Sequence, residues 1–322
     1  MLDDSPKGNM KRSTIETWCT FLKELDRIGQ KLELFTFYIN KRKPHQRAKN
    51  RPPNWDKVRQ ISCYPKEVNK VLRRLNSELL ARFDNLLHRD QYGFRRGRST
   101  LDLKKVEGNQ AICIDLKDAF HNLKLKRVQR IYGRIFPRSI AVKLAKSLCP
   151  NGYMFQGHPI APFTLNLAMV ESLKNLEHWD LKGFHYADDL NFLFEGKPKT
   201  ELYALTKIIL KTLKSQGFTV NKRKIHVFPK RFNTLGLTKE YRISYNTGGY
   251  VVTPRRKLKE KVRMLAHWLK IGRYHTGRKS KDGRPIKTQE VLDGLLAYLN
   301  NFRDLQGISI GNKTYYKTQK FS

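Results

Sequence analysis

Two adjacent acidic residues at the centre of an apolar segment have the spacing expected of a metal-dependent phosphoryl-transfer site. Asp188 and Asp189 lie in HYADDLNFLF, whose alternating pattern is typical of a β-hairpin with both acids at its tip. Adjacent carboxylates repel each other unless positive charge neutralises them, and a pair of divalent metal ions commonly does so. The alternative interpretation is an ordinary solvated turn, in which acidic residues are frequent.

A third acid, Asp115, stands upstream at the end of a short apolar run in AICIDLKDAFHNL. The run predicts a buried strand that delivers the Asp115 carboxylate at its end. Together with Asp188 and Asp189, this acid would complete a set of carboxylates able to bind two Mg²⁺ ions. In the alternative interpretation, Asp115 is a helix N-cap and Asp118 is its capping-box partner.

These acids belong to a series of motifs that resembles the reverse transcriptases in content and in order. IDLKDAF resembles the first catalytic motif of that family, with Asp115 as its aspartate and Phe120 as its aromatic steric gate. QGHPIAP is similar to the Gln-Gly-x-x-x-Ser-Pro motif of the nucleotide pocket, and carries it on Gln156 and Gly157. YADD is the family's catalytic hairpin. Ala161 departs from the family pattern, since a serine is usual there.

Further motifs lie on both sides of the acids. GFTVNKRKIH resembles the motif whose lysine, here Lys224, is a proton donor to the leaving pyrophosphate. VRQISCYPKEVNK resembles the strand that holds the nucleotide triphosphate, with Arg59 in the arginine position and Lys57 just before it. QYGFRRGRST is similar to a segment shared by retron and group II intron-type enzymes. The primer grip is expected at Leu235, Gly236 and Leu237.

The resemblance implies an RNA-directed DNA polymerase that uses two Mg²⁺ ions, with Mn²⁺ as a substitute, held by Asp115, Asp188 and Asp189. It also implies an RNA template, a DNA or RNA primer and deoxynucleotides as partners, and is compatible with an oligomer or an accessory protein. Phe120 would exclude a ribose 2′-hydroxyl and so favour a DNA product, although an apolar residue after a strand is also consistent with plain core packing.

The biological role is predicted from features that the sequence lacks. No RNase H, endonuclease or long DNA-binding extension is expected after the last helices, and the Val-Thr-Gly and Asn-Ala-x-x-His features of retron enzymes are missing. We therefore expect a bacterial anti-phage defence enzyme that copies a dedicated noncoding RNA. The alternatives are a retron-type enzyme that makes msDNA, an RNA-making polymerase, and a catalytically silent RNA-binding scaffold.

Composition agrees with a nucleic-acid partner. The chain has 65 Lys and Arg against 28 Asp and Glu, for a net charge of +37, which favours binding to a polyanion. No apolar run approaches the length of a membrane-spanning helix, and no signal peptide is evident. The four scattered cysteines are typical of a reduced protein, so a cytoplasmic bacterial location is expected.

The resemblance implies an α+β fold, a right-hand polymerase with fingers, a palm whose antiparallel sheet is backed by helices, and a helical thumb. Helices are predicted from periodicity within residues 1–40, at 124–148 with a break at Pro137, at 163–177, at 200–214, from 253 onward and at 288–303. Strands are predicted at 111–115, 184–194, 218–220 and 225–228, and 272–287 as a mobile loop. The predicted regions are 1–54 (helical segment and basic linker), 55–110 (fingers), 111–245 (palm) and 246–322 (basic helical thumb and tail).

Overall fold

The computed structural model describes residues 16, 18–24, 34–40, 58–179, 181–234, 237–244, 247–254, 256–279, 283–300, 308–310 and 313–315. Helices and strands are interspersed along these residues, which confirms the predicted α+β class. The chain divides into two compact units. The first comprises residues 1–99, 114–190 and 205–225, and the second comprises 100–113, 191–204 and 226–322.

The strands are β1 (Phe35–Asn40), β2 (Val58–Cys63), β3 (Gln110–Asp115), β4 (Lys182–Gly183), β5 (Asp189–Phe194), β6 (His226–Phe228), β7 (Phe232–Thr234), β8 (Leu237–Ser244), β9 (Thr247–Pro254), β10 (His275–Lys279), β11 (Pro285–Lys287), β12 (Ile308–Ile310) and β13 (Lys313–Tyr315). The longer helices are α1 (Lys66–Phe83), α2 (Leu125–Gly133), α3 (Arg138–Leu148), α4 (Ala161–Glu177), α5 (Lys199–Ser215), α6 (Arg256–Lys270) and α7 (Thr288–Asn300). Residues 16 and 18–24 are also helical.

A four-stranded sheet with the order β4-β5-β3-β6 positions the acidic residues. In β3, Ala111, Ile112 and Ile114 are buried, as the apolar run predicted. β3 pairs with β6 in antiparallel register, with Ile112 opposite Val227. Because β3 ends at Asp115, its buried part fixes the backbone that carries this carboxylate.

Helix boundaries in the first unit follow local chemistry. Pro137 separates α2 from α3 as predicted, because proline lacks the N–H that would continue the first helix. Its carbonyl accepts bonds from the N–H groups of Ile140 and Ala141, which begins the second helix. α4 carries Pro162 in its first turn, where proline is tolerated, and most of its residues are buried.

Three sequence expectations are wrong. Residues 35–40 form β1, which pairs antiparallel with β2, although a helix was expected there; their β-branched and aromatic side chains suit a strand. The predicted strand at 218–220 is reduced to one bridge between Val220 and Leu116. Asp115 is not a helix N-cap, because the chain turns after it, Asp118 has a φ of 48°, and α2 begins only at Leu125.

The second unit is less helical than predicted. β7, β8 and β9 form an antiparallel sheet, and its last strand, β9, lies in the region 246–322 that was predicted to be helical. The segment 272–287, predicted as a loop, contains β10 and β11, which pair as a hairpin. The predicted helices α6 and α7 are present and pack through a core of Val262, Leu265, Ala266, Leu292 and Leu299. None of the described helices has the length and apolarity needed to cross a membrane.

One lysine of the second unit lies entirely inside it. Lys239, on β8, has no exposed surface, and its Nζ donates to the carbonyl of Leu103 at 3.0 Å. Burial lowers the Lys239 pKa from 10.5 to about 8, because the charged form loses hydration. The charged Lys239 side chain therefore destabilises the folded protein at neutral pH.

We expect Lys239→Met to raise the free energy of unfolding by about 1–2 kcal/mol at pH 7, after the loss of the polar interactions of Lys239 is subtracted. The pKa of Lys239 is lower in the folded protein than in the unfolded chain. The destabilisation by its charge is therefore full below pH 8 and disappears as the pH rises toward 10.5. Denaturant unfolding at pH 7 and pH 10 measures this. Lys207→Met, on the exposed side of α5, is the control. A Lys239→Met variant that is less stable than the wild type at pH 7 would contradict the prediction.

Candidate active site

Backbone hydrogen bonds within the first unit bring the three predicted acids together. The N–H of Leu116, directly after Asp115, donates to the carbonyl of Asp188 at 3.0 Å. On the other side, the N–H of Asn221 donates to the carbonyl of Asp115 at 2.9 Å. The end of β3 is therefore held between the acidic hairpin and the segment that leads to Lys224.

The acidic hairpin is present, but only one of the two acids lies at its tip, although the sequence predicted both there: Asp189 is the first residue of β5. Tyr186 and Asp189 exchange two backbone hydrogen bonds, of 2.9 and 3.1 Å, which leaves Ala187 and Asp188 at the tip. Ala187 has a φ of 55°, a left-handed conformation that costs a non-glycine residue roughly 1 kcal/mol. Such strained conformations are found disproportionately at functional sites.

The acids are close enough to perturb one another. The pKa of Asp189 is raised from 3.8 to about 6, first by burial and then by the charges of Asp188 and Asp115, while Lys224 opposes the shift. Asp189 therefore carries a charge that its surroundings disfavour. Perturbed acids of this kind are a physical signature of catalytic and metal-binding sites.

Two side chains from the segment after α5 bind Asp115. The Lys224 Nζ lies 2.7 Å from Asp115 Oδ1, in an ion pair whose lysine is 57% exposed and whose aspartate is 15% exposed. The Asn221 amide lies 3.4 Å from Asp115 Oδ2. The structure thus brings Lys224 to the acids, as the sequence indicated, and adds Asn221, which the sequence analysis did not single out.

Carboxylates are suitable ligands for a divalent cation, but these acids do not form a closed cage. Within the described ranges, no three His, Cys, Asp or Glu side chains are arranged so that they could hold a metal ion by themselves. Mg²⁺ is usually held by one or two carboxylates together with waters and substrate phosphates, so a closed protein cage is not required. The mutual repulsion at Asp189 is the observation that fits cations, because added positive charge would relieve it.

Gly93 packs against the backbone of the acidic hairpin so closely that only glycine fits there. A Cβ at this position would lie 2.7 Å from the backbone nitrogen of Ala187, too close for any real side chain. The Gly93 carbonyl accepts a hydrogen bond from the buried amide of Asn166, and the Asn166 carbonyl accepts one from Gln91. These buried amide hydrogen bonds fix the backbone of Gly93, which in turn packs against the hairpin that carries Asp188 and Asp189.

Phe94 is an exposed aromatic residue next to this support. Phe94 is 51% exposed, its φ is 60°, and its ring centroid lies 5.7 Å from that of Tyr186. The following residue, Arg95, is buried and anchors the segment through two bonds of 2.8 and 2.6 Å to the Asp84 carboxylate. Gly93, Phe94 and Asn221 are functional candidates that the sequence analysis missed, although all lie in motifs it recognised.

The Gln-Gly loop lies directly against strand β2. The N–H of Ser62 donates to the carbonyl of Gln156 at 3.0 Å. Gly157 has a φ of 111°, and a Cβ there would lie 2.3 Å from the Ser62 carbonyl oxygen. The strand that carries Arg59 is therefore held beside the Gln-Gly loop by backbone contacts. Ala161, where the family usually has serine, is buried at the start of α4.

The structure describes only some of the other residues that the sequence assigned to the site. Phe120 lies in the turn after β3 and is half-buried, so it is not simply core. Arg59 lies on β2 opposite Ile39, without a described side chain. Leu237 is buried at the start of β8. Lys57, Leu235 and Gly236 lie outside the described residues, so the triphosphate and primer-grip assignments stay predictions.

Comparison with known proteins gives two findings. Residues 39–239 match a family model described as reverse transcriptase (RNA-dependent DNA polymerase). The fold is also similar to that of a chain in the structure of telomerase from Candida albicans in complex with the TWJ fragment of telomeric RNA, with a TM-score of 0.47 and 13% identity. That alignment covers 88% of this chain and 58% of the telomerase chain, so this chain spans less than two thirds of its length.

We expect Asp189→Asn to stabilise the metal-free protein by about 1–3 kcal/mol at pH 7, because it removes a disfavoured charge. The folded pKa of this acid lies above the unfolded one. The free energy of unfolding of the wild type therefore falls as the pH rises from 3.8 to 6. Above pH 6 the destabilisation by the Asp189 charge is fully present. Denaturant unfolding in a chelator at pH 4 and pH 7 measures the difference. An Asn variant with no advantage at pH 7 would show that the acids do not repel each other.

Proposed function

Because the chain belongs to the reverse transcriptase (RNA-dependent DNA polymerase) family, we propose that it extends a primer with deoxynucleotides by copying an RNA template. The observation that carries this proposal is the cluster of Asp115, Asp188 and Asp189, in which burial and then mutual repulsion raise the Asp189 pKa to about 6. Three carboxylates held close together at this cost are difficult to explain in a binding scaffold without catalysis.

The acids would hold the catalytic ions. Asp115 and Asp188 would supply carboxylate oxygens to two Mg²⁺ ions, and Asp189 would support them, with Mn²⁺ as a substitute. Bound ions of this kind activate the primer 3′-hydroxyl and stabilise the leaving pyrophosphate. Asn221 keeps one Asp115 oxygen oriented through its amide. Since phosphoryl transfer depends mainly on alignment and charge stabilisation, these fixed positions are the protein's main contribution.

Other side chains would bind and position the substrates. Lys224 is an ammonium donor beside Asp115, suited to protonate the pyrophosphate as it leaves. Arg59 and Lys57 would bind the triphosphate oxygens, and Gln156 and Gly157 would line the nucleotide pocket. Phe120, half-buried in the turn after Asp115, would pack under the sugar and exclude a 2′-hydroxyl. Leu235, Gly236 and Leu237 would hold the primer.

We further propose that the enzyme copies a dedicated noncoding RNA in bacterial anti-phage defence and acts in the cytoplasm. The departures of the sequence from the Val-Thr-Gly and Asn-Ala-x-x-His features of retron enzymes support this role. A retron-type enzyme would instead yield DNA joined to its own template RNA. Sequencing the nucleic acid bound to the protein from its host would separate the two roles, because the ends of the DNA mark the priming site.

Primer extension on an RNA template tests the activity. The wild type should add deoxynucleotides in Mg²⁺ and discriminate against ribonucleotides, whereas Asp188→Ala/Asp189→Ala should lose at least about a thousandfold in rate. Preferential use of ribonucleotides would identify an RNA-making polymerase. If the wild type binds RNA tightly but adds no nucleotide with either Mg²⁺ or Mn²⁺, the protein is a silent scaffold and the proposal is wrong.

Gly93→Ala should lower kcat by about tenfold to a hundredfold, because its Cβ would displace the backbone of the acidic hairpin. Gly133→Ala is the matched control: a Cβ at Gly133 meets no atom within 4 Å and should leave the rate unchanged. Steady-state primer extension measures both variants, and thermal unfolding checks that both are folded. Equal rates for the two variants would show that the hairpin does not depend on the Gly93 contact.

A further inference from the structure

Asp90, a residue with no role in the chemistry described above, binds the strand that leads into the acidic hairpin. Its Oδ2 atom accepts a hydrogen bond from the N–H of Gly183, the second residue of β4, at 2.8 Å. The N–H of His185 donates to the backbone carbonyl of Asp90, also at 2.8 Å. All three residues belong to the first unit. Asp90 therefore holds the incoming strand twice, once through its side chain and once through its main chain.

The Asp90 carboxylate lies where hydration alone does not account for it. The Asp90 side chain is 16% exposed, although the neighbouring Arg89 side chain is 76% exposed. Burial raises the pKa of Asp90, and the largest opposing effects come from His88 and from the Gly183 N–H. A carboxylate on the surface would avoid this unfavourable burial. The bond to Gly183 is the specific contact that the buried position makes possible.

His88 orients the main chain of Asp90 on the side away from the hairpin strand. The N–H of Asp90 donates to His88 Nδ1 at 3.2 Å. A neutral imidazole has one acceptor and one donor nitrogen, so Nε2 carries the proton and donates to Glu177 Oε1 at 2.9 Å. His88 is buried, and Glu177 is the last residue of α4. The N–H, the carbonyl and the carboxylate of Asp90 are therefore all hydrogen-bonded.

The residues that Asp90 binds are packed too closely to shift independently. A Cβ at Gly183 would lie 2.2 Å from the Nε2 atom of His185, so the histidine ring lies directly against the Gly183 backbone. His185 is buried, and burial lowers its pKa to about 3, so the ring stays neutral. A displacement of Gly183 would therefore move His185, which stands only three residues before Asp188.

We propose that Asp90 is a positioning residue, which holds the acidic hairpin in place through its bond to Gly183. The contacts run from Glu177 at the end of α4, through His88 and Asp90, to the strand that carries the acids. Because a displacement of about 1 Å at a catalytic group can lower a rate about a hundredfold, the loss of this bond would slow catalysis. The catalytic consequence rests on the proposed polymerase function, whereas the effect on the hairpin does not.

The test compares three variants. Asp90→Ala removes the acceptor of the Gly183 N–H. Asp90→Asn keeps one, because the amide oxygen of asparagine can accept the same bond. Glu171→Ala is the control, since it removes an exposed carboxylate of α4 that pairs with Arg134 at 3.3 Å. Thermal unfolding confirms that each variant is folded at the assay temperature.

Steady-state primer extension on an RNA template gives kcat and the deoxynucleotide KM. Asp90→Ala should lower kcat by about tenfold to a hundredfold and change KM by less than about threefold, because the acids are displaced and the nucleotide contacts are not. Asp90→Asn should recover kcat to within about threefold of the wild type, and Glu171→Ala should match the wild type. An unchanged kcat in folded Asp90→Ala, or equal losses in the Ala and Asn variants, would overturn the proposal.

Amide hydrogen exchange of residues 182–189 follows the hairpin without any substrate. Exchange should be about fivefold to tenfold faster in Asp90→Ala, as expected for one lost hydrogen bond, and within about twofold of the wild type in the other variants. This pattern in a protein that extends no primer would reject the polymerase function and retain the positioning role. An active wild type with unchanged exchange in Asp90→Ala would reject the positioning role and retain the polymerase.

Discussion

Repulsion among three carboxylates is the constraint on which the site depends. Backbone hydrogen bonds between the end of β3 and the hairpin tip hold the main chain of Asp115 beside that of Asp188 and Asp189. Lys224 forms an ion pair with Asp115, while burial and then the charges of Asp188 and Asp115 raise the Asp189 pKa. Positive charge placed beside these acids would relieve the repulsion.

Close backbone contacts give the site its rigidity. Gly93 lies against the hairpin tip and Gly157 lies against Ser62, both at distances that exclude a side chain. Because main-chain atoms have no rotamers, such contacts fix positions more tightly than packed side chains can. The buried amides of Gln91 and Asn166 extend this support into the interior, where an unmade hydrogen bond would be costly. Backbone contacts and buried amide hydrogen bonds thus position the segments that carry the acids.

The positive charge of the chain is used in different ways in different places. Lys224 serves the acids, Arg95 is buried to anchor the segment behind the hairpin, and Lys239 is buried at a cost to stability. A high net charge therefore does not describe one uniform surface, because each cation's role depends on its depth and its partners.

The sequence by itself determined the family and the α+β class, and its local spacing and apolar periodicity predicted β3, the acidic hairpin and several helices. The structure places Lys224 beside Asp115, but the catalytic roles of Lys224 and the acids stay predictions. The sequence did not predict β1 or the β8–β9 and β10–β11 hairpins, and the alternative N-cap role of Asp115 was wrong. Only the tertiary structure decided the pairing of β1 with β2, the contact of Gly93 with Ala187 and the burial of Lys239. The physical reason is that strand pairing, burial and close approach join residues distant in the chain, and no local pattern records such contacts.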